Sequence, residues 1–333
     1  MWEVVGGTTS GGILVRGGYE TDSAQEAVRL STGAVVKELE LRGNRLHYEL
    51  QTGIGPEKGW VSLRQKDKDL LVRCDKGFAE DAGASMSHLG PPIVGRKVRI
   101  LAVHSAPSNA NIMKFQTVQL KKTLGKNFEW LYIEAPNLWE CRETPPNHPK
   151  GEPISPAWML YGGKRSDMEE RLAAGKPFLE WLRFDEDPTR PSPESVAKSL
   201  AHLRDFMQKE APIDVVIAIS QGSCIMAALI ENFRSEGQPA PWRLSVFVSS
   251  VPPEAHYLAE PLSEPCEHSV VAVLGGEKDP WHSIGKSCLP VRYCSPTILE
   301  HEDGHAFPFT EPHAGKLYTQ LASLIRAACR IPE

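Results

Sequence analysis

The run Asp214–Val215–Val216–Ile217–Ala218–Ile219 ends abruptly on Ser220, and a second apolar run, Cys224–Ile225–Met226–Ala227–Ala228–Leu229–Ile230, begins four residues later. The first run is short, continuous and rich in β-branched residues, the pattern of a strand buried on both faces. The second has helical character, so the chain must turn sharply on the serine. Ala218 stands two places before Ser220 and Gly222 two places after it. Small neighbours are needed there because the serine backbone is strained and the chain passes close to itself on both sides. A strand, a tight turn on a serine and a helix make a nucleophile elbow, here in the variant A-x-S-x-G. The N-terminus of the following helix offers backbone N–H groups to a developing negative charge.

The rest of the chain supplies a setting for such a turn. Lys97–His104, Glu129–Pro136, Arg243–Val248, Ser269–Leu274 and Pro296–Glu300 read as further strands. Between them lie the helix-like stretch Asn111–Leu124 and a helix over Pro193–Lys209, where Val196, Leu200, Leu203 and Met207 recur at helical spacing. Ser192 is placed to cap that helix, with Pro193 at its first position, where a missing N–H costs nothing. An amphipathic helix over about 312–329 closes the chain. Strands alternating with helices predict an α/β fold, a doubly wound and mostly parallel sheet covered on both faces, over residues 97–333. Residues 137–190 are rich in Pro, Gly and aromatic residues with little periodicity, which predicts a lid, a binding loop or an insertion.

Residues 1–75 differ. Glu38–Leu41 and Leu46–Leu50 alternate apolar and polar residues around a tight-turn signal at Gly43–Asn44, and Gly12–Arg16, Gly59–Leu63 and Leu70–Arg73 add short strands. A small all-β, barrel-like module is expected, and the hairpin followed by Gly59–Trp60–Val61–Ser62 resembles SH3-like barrels. Such a module either takes a protein partner or ligand, or only stabilises its neighbour. Residues 76–96, small, polar and punctuated by Gly90–Pro91–Pro92, read as a linker.

With 333 residues, 41% hydrophobic and 24% charged, the composition is that of a globular chain. A net charge of −5 argues against a nucleic-acid partner. No apolar run approaches the roughly 20 residues that span a bilayer. The start lacks a basic stretch leading into an apolar one, so no secretory signal is expected. Seven cysteines without CxxC spacing read as scattered free thiols, which favours a cytoplasmic location and argues against a zinc site. No metal and no cofactor are expected.

A serine hydroxyl needs a base within hydrogen-bond reach, and the base needs an acid to fix its tautomer. In α/β-hydrolases these follow in the order serine, acid, histidine, each just after a strand. After the strand ending at Leu274 comes Gly275–Gly276–Glu277–Lys278–Asp279–Pro280. After the strand ending at Glu300 comes His301–Glu302–Asp303–Gly304–His305. Asp279, at a sharp Asp-Pro turn, is the expected orienting acid, with Glu277 and Asp303 as competitors. His305 is the expected base, since Gly304 permits a tight loop that projects it; His301 competes. The oxyanion hole needs two backbone donors. Gln221 at the helix start supplies one by position, and Ala106 in the loop after the first strand of this region supplies the other. In the insertion, Trp139, Trp158, Tyr161, Phe178, Trp181 and Phe184 either pack it down or wall an apolar cleft. Trp158 and Trp181, with Ser105, are the candidates for contact with substrate.

Four ordered motifs make residues 96–330 similar to the FSH family of serine hydrolases. The family's opening strand ending L-x-L-H-G is matched by Ile100–Leu101–Ala102–Val103–His104–Ser105, and its G-P-F-D-G-x-x-G-F-S-Q-G-A by Ala211–Ser223. Its G-x-x-D loop is matched by Gly276–Asp279, and its H-x-x-G-H-x-x-P by His301–Pro308. The resemblance implies an α/β-hydrolase with Ser220, Asp279 and His305 as triad, cleaving carboxylic esters, or thioesters on a carrier as some members do. A binding protein that keeps only the shell is the alternative of another class, against which the three intact residues argue. The chain departs from the family pattern at Ala218 and Ser105, both glycine in the family, and at Ile213 and Val215. A side chain at 105 either narrows the oxyanion loop or adds a hydroxyl to it.

Overall fold

In a computed structural model, the structure describes residues 1–7, 12–26, 28–52, 55–66, 68–73, 90–142, 144, 148, 150–153, 162–185, 190–253 and 264–331. The chain forms two compact units, Met1–Ser87 and His88–Glu333.

The first unit is built on a five-stranded antiparallel sheet. Its strands are β1 (Trp2–Val4), β2 (Val35–Arg42), β3 (Arg45–Thr52), β4 (Lys58–Ser62) and β7 (Leu71–Arg73), in the order β4-β3-β2-β1-β7. A two-stranded ribbon of β5 (Arg64–Gln65) and β6 (Lys68–Asp69) completes the strand set. The alternating β2 and β3 pair across the two-residue turn read from the sequence, with Arg42 opposite Arg45. Val4, Val15, Leu30, Val36, Leu46, Tyr48, Val61 and Leu71 form a core of this unit's own. Gly12–Arg16, expected as a strand, instead makes isolated bridges from Ile13 to Leu30 and from Arg16 to Gln25 and Trp60. The expected linker 76–96 lies outside the described residues up to 89.

The second unit is a six-stranded sheet, parallel throughout. Its strands are β8 (Val98–Val103), β9 (Phe128–Ile133), β12 (Val215–Ile219), β13 (Leu244–Val248), β14 (Ser269–Leu274) and β15 (Thr297–Glu300), in the order β15-β14-β13-β12-β8-β9. Strands β12 and β13 are buried at every residue, as the apolar run of β12 and that of β13, broken only by Ser245, lead one to expect. Helices α1 (Ala110–Gln116), α2 (Val118–Leu124), α3 (Asp167–Ala173), α4 (Pro193–Lys209), α5 (Gln221–Ser235), α6 (His282–Arg292) and α7 (His313–Cys329) accompany it. The Ser192 side chain accepts from the N–H of Ser195 at the start of α4, with Pro193 at the first position, as expected. The single helical stretch expected over Asn111–Leu124 is divided at Thr117, whose buried hydroxyl donates to Met113 O at 2.8 Å. Asp214 fixes the approach to β12: it accepts a bidentate pair from Arg96 at 2.6 and 2.7 Å and the N–H of Arg99 at 2.8 Å.

The insertion is more ordered than its sequence implies. It holds a small ribbon of β10 (Asn137–Leu138) and β11 (Leu179–Glu180), and α3 behind a complete capping box between Ser166 and Glu169.

The strand order reverses between β8 and β12, because the chain leaves β8 toward one edge of the sheet and returns through β12 toward the other. In open parallel sheets the crevice at the carboxyl ends of such a strand pair is where ligands bind. Ser220 stands at the end of β12, and His104 at the end of β8.

Candidate active site

Ser220 takes φ 55° and ψ −123°, a left-handed conformation that an L-residue holds only where its surroundings enforce it. The enforcement is visible on both sides. The N–H of Ser220 donates to Val248 O on β13 at 3.0 Å, and the Ser223 hydroxyl donates to Ser220 O at 2.6 Å. Gly222 lies against the end of β8, so a Cβ there would come within 2.5 Å of His104 O. That contact is the physical reason for a glycine two places after the serine.

The two loops expected to hold acid and base meet beside it. His305 Nε2 lies 2.7 Å from Ser220 Oγ, and its Nδ1 lies 2.8 Å from Asp279 Oδ1. The same carboxylate oxygen accepts the N–H of Trp281 at 2.9 Å. Burial pushes the Asp279 carboxyl up, but hydrogen bonds and charge from His305, with the Trp281 N–H and the Ser249 hydroxyl, outweigh it and leave it below its ordinary value. The acid and base loops touch backbone to backbone. Gly304 N–H donates to Gly275 O at 3.1 Å, and a Cβ on Gly275 would fall 1.8 Å from Gly304 O.

The competing residues stand apart from this line. Asp303 accepts from the N–H groups of Phe309 and Thr310 at 2.7 and 3.0 Å and so ties down the chain beyond His305. Glu277 is exposed on a single 3₁₀ turn, Gly276–Lys278. His301 is buried, and its Nδ1 accepts from the Asp303 N–H at 3.2 Å. Burial lowers its affinity for a proton.

The two backbone donors expected from the sequence are those of Gln221 and Ala106. The N–H groups of Gln221 and Gly222 open the first turn of α5 ahead of its internal ladder, which begins where the Ser223 N–H donates to Ser220 O at 2.9 Å. Ala106 is buried, and among the described residues no protein group accepts from its N–H. Ser105 is half-buried in the same loop.

Sequence reasoning uses only the backbone of Gln221 and overlooks its side chain. The buried carboxamide accepts from the N–H groups of Trp181 and Leu182 at 2.7 and 2.9 Å and donates to Leu182 O at 3.0 Å. It names His104 only as the histidine of a family motif and gives it no role; the residue is fully buried. Its Nε2 accepts the Ala135 N–H at 3.0 Å, so Nδ1 carries the proton and donates to Ser105 O at 2.5 Å. Burial pushes the His104 imidazole down to about 4, which keeps this neutral tautomer. A polar residue inside an apolar strand end is the available signal.

Of the residues expected to meet substrate, Trp158 and its neighbour Tyr161 lie outside the described residues. Trp181 is completely buried and presents no surface; its indole N–H donates to His104 O at 2.9 Å. The aromatic residues in the described part of the insertion pack inward: Trp139 stands edge-on to Phe178 under the Arg165 guanidinium, and Phe184 is buried. Among the described residues, no group of three or more His, Cys, Asp or Glu is placed to hold a metal ion, and no helix is long and apolar enough to cross a membrane.

A parallel sheet in this strand order, with a serine elbow at its point of reversal, is an α/β-hydrolase. The chain belongs to the FSH1 serine hydrolase family, whose model matches residues 94–317. Esterase FPY3 of Fusarium mangiferae is 25% identical over 226 residues, covering 63% of this chain and 88% of that protein. Rhodanese-like domain-containing protein 6 of Arabidopsis thaliana is 25% identical over 240 residues, 69% of this chain; the match spans only 40% of that relative's length. Among solved structures, acyl-protein thioesterase 2 of Zea mays is similar at a TM-score of 0.43 with 16% identity, over 71% of this chain and 97% of that one.

Proposed function

We propose that the protein cleaves carboxylic esters through an acyl-enzyme on Ser220. The carrying observation is the continuous hydrogen-bonded line from Asp279 through His305 to Ser220 Oγ, at 2.8 and 2.7 Å. His305 Nε2 takes the Ser220 proton as Oγ bonds to the substrate carbonyl carbon. The charge that develops on the carbonyl oxygen is met by the N–H groups of Gln221 and Ala106. The tetrahedral species collapses, the C–O bond to the alcohol breaks, and His305 returns its proton to the leaving oxygen. A water then gives a proton to His305, attacks the acyl carbon and releases the acid, and the proton goes back to Ser220. Asp279, held ionised, keeps Nδ1 protonated and stabilises the imidazolium that forms.

A fluorophosphonate probe together with a short-chain nitrophenyl ester tests the assignment. Wild type should label and turn over, and Ser220→Ala should do neither. Equal labelling of the two removes Ser220 from the role. Matched ester and thioester acyl chains separate an esterase from a carrier thioesterase. The β module is proposed to be SH3-like; in support stand the antiparallel sheet and the placement of Gly59–Trp60–Val61–Ser62 on β4.

A further inference from the structure

We propose that His104 is the positioning residue of the oxyanion hole: its Nδ1–H fixes the Ser105–Ala106 peptide so that the Ala106 N–H is held ready for the substrate oxygen. The inference deepens the ester-cleavage reading above and rests on it.

A peptide unit is planar, and in it the C=O of one residue and the N–H of the next point in opposite directions. Ser105 O and Ala106 N–H belong to one such unit. Nδ1 of His104 holds Ser105 O at 2.5 Å, so the direction of the Ala106 N–H is set as well. The imidazole cannot swing away, because Nε2 is held by the Ala135 N–H just beyond the end of β9. The residue's own carbonyl is held too, by the Trp181 indole at 2.9 Å. Trp181 is in turn tied to the elbow, since its backbone N–H donates to the Gln221 side chain at 2.7 Å. A continuous path of hydrogen bonds thus runs from one proposed donor residue, Gln221, through Trp181 and His104 to the peptide of the other, Ala106. Every side chain on that path is buried.

Preorganisation of this kind matters because a donor that must first rotate gives up part of its advantage at the moment of reaction. It also bears on Ser105. A glycine peptide at 105 would have more freedom than this one, and the serine side chain leaves the His104–Ser105 hydrogen bond in place.

The test contrasts two substitutions in the full chain. Asn places an amide donor near the position of Nδ1, so His104→Asn can still hold Ser105 O. Gln places its amide near the position of Nε2 and leaves Ser105 O unheld. His104→Gln should lose about 10²-fold in kcat, the scale of one oxyanion donor, with KM little changed. Affinity for a trifluoromethyl ketone of the same acyl chain should fall in parallel. His104→Asn should recover most of that loss, while both variants lose melting temperature to a similar degree. Equal kcat in His104→Gln and wild type, or equal losses in the two variants, overturns the inference. If wild type itself shows no Ser220-dependent turnover, the ester-cleavage reading fails instead, and the two failures are distinguishable.

Discussion

At the residue scale, the site is a set of ionisable groups held in chosen protonation states. Asp279→Asn keeps the shape of the acid but offers Nδ1 an amide, which favours the wrong tautomer. The expected result is a loss of roughly 10³- to 10⁴-fold in kcat on a nitrophenyl ester, far more than any accompanying fall in melting temperature explains. The two perturbed groups also favour folding in related pH windows. The Asp279 carboxyl lies below its ordinary value in the fold, so its contribution to stability is complete above about pH 4 and fades as pH falls through the folded value. His104 is neutral in the fold, whereas an unfolded chain protonates it near pH 6.5. Between about pH 6.5 and 4 the unfolded state therefore binds more protons, and stability falls as pH falls, by at most about 1.4 kcal/mol per pH unit for this one group. Urea midpoints across that range should fall toward acid in wild type and fall less in His104→Asn. Parallel slopes in the two would remove His104 as the source.

At the scale of elements, the elbow is the most legible part of the chain because several constraints converge on few residues. An apolar strand, a serine, a small residue on each side and a helix occupy about 17 positions, 214–230, and the structure follows them in order. Gly222 carries the sharpest prediction at this scale. A methyl group there meets the backbone oxygen of His104, which cannot yield as a flexible side chain would. Gly222→Ala should lower stability by about 1–3 kcal/mol in urea unfolding and reduce turnover with it. Elements without such convergence escape the sequence. Helix α6 is hidden because Gly285 and Pro290 interrupt its pattern; only packing, with Gly285 and Leu289 buried, keeps it helical. Helix α3 has its start signal in plain view at Ser166–Asp167–Met168–Glu169, but the surrounding Pro and Gly composition masks it. The Gln221 carboxamide and the His104 imidazole are illegible for a different reason. Their partners lie about 40 and 30 residues away in sequence, and no local pattern predicts a buried hydrogen bond to a distant backbone group. Trp181 reads as a cleft wall because aromatic residues in an insertion carry no sign of which way they face.

At the scale of the whole molecule, each unit contains its own buried core, and Ser220, Asp279, His305, Gln221, Ala106 and His104 all belong to the second. A chain restricted to His88–Glu333 should therefore fold and hydrolyse short esters with kcat within a factor of about two of the full chain. A larger loss would give the β module a part in the chemistry itself. Within the second unit, the contact between Gly275 and Gly304 has a consequence for how such enzymes can be recombined. The two loops are distant in sequence, yet a side chain on Gly275 would run into the backbone of Gly304. They form one interchangeable part made from two separate stretches of chain. A chimera that borrows residues 275–281 from a relative should stay active only if it borrows 301–308 from the same source.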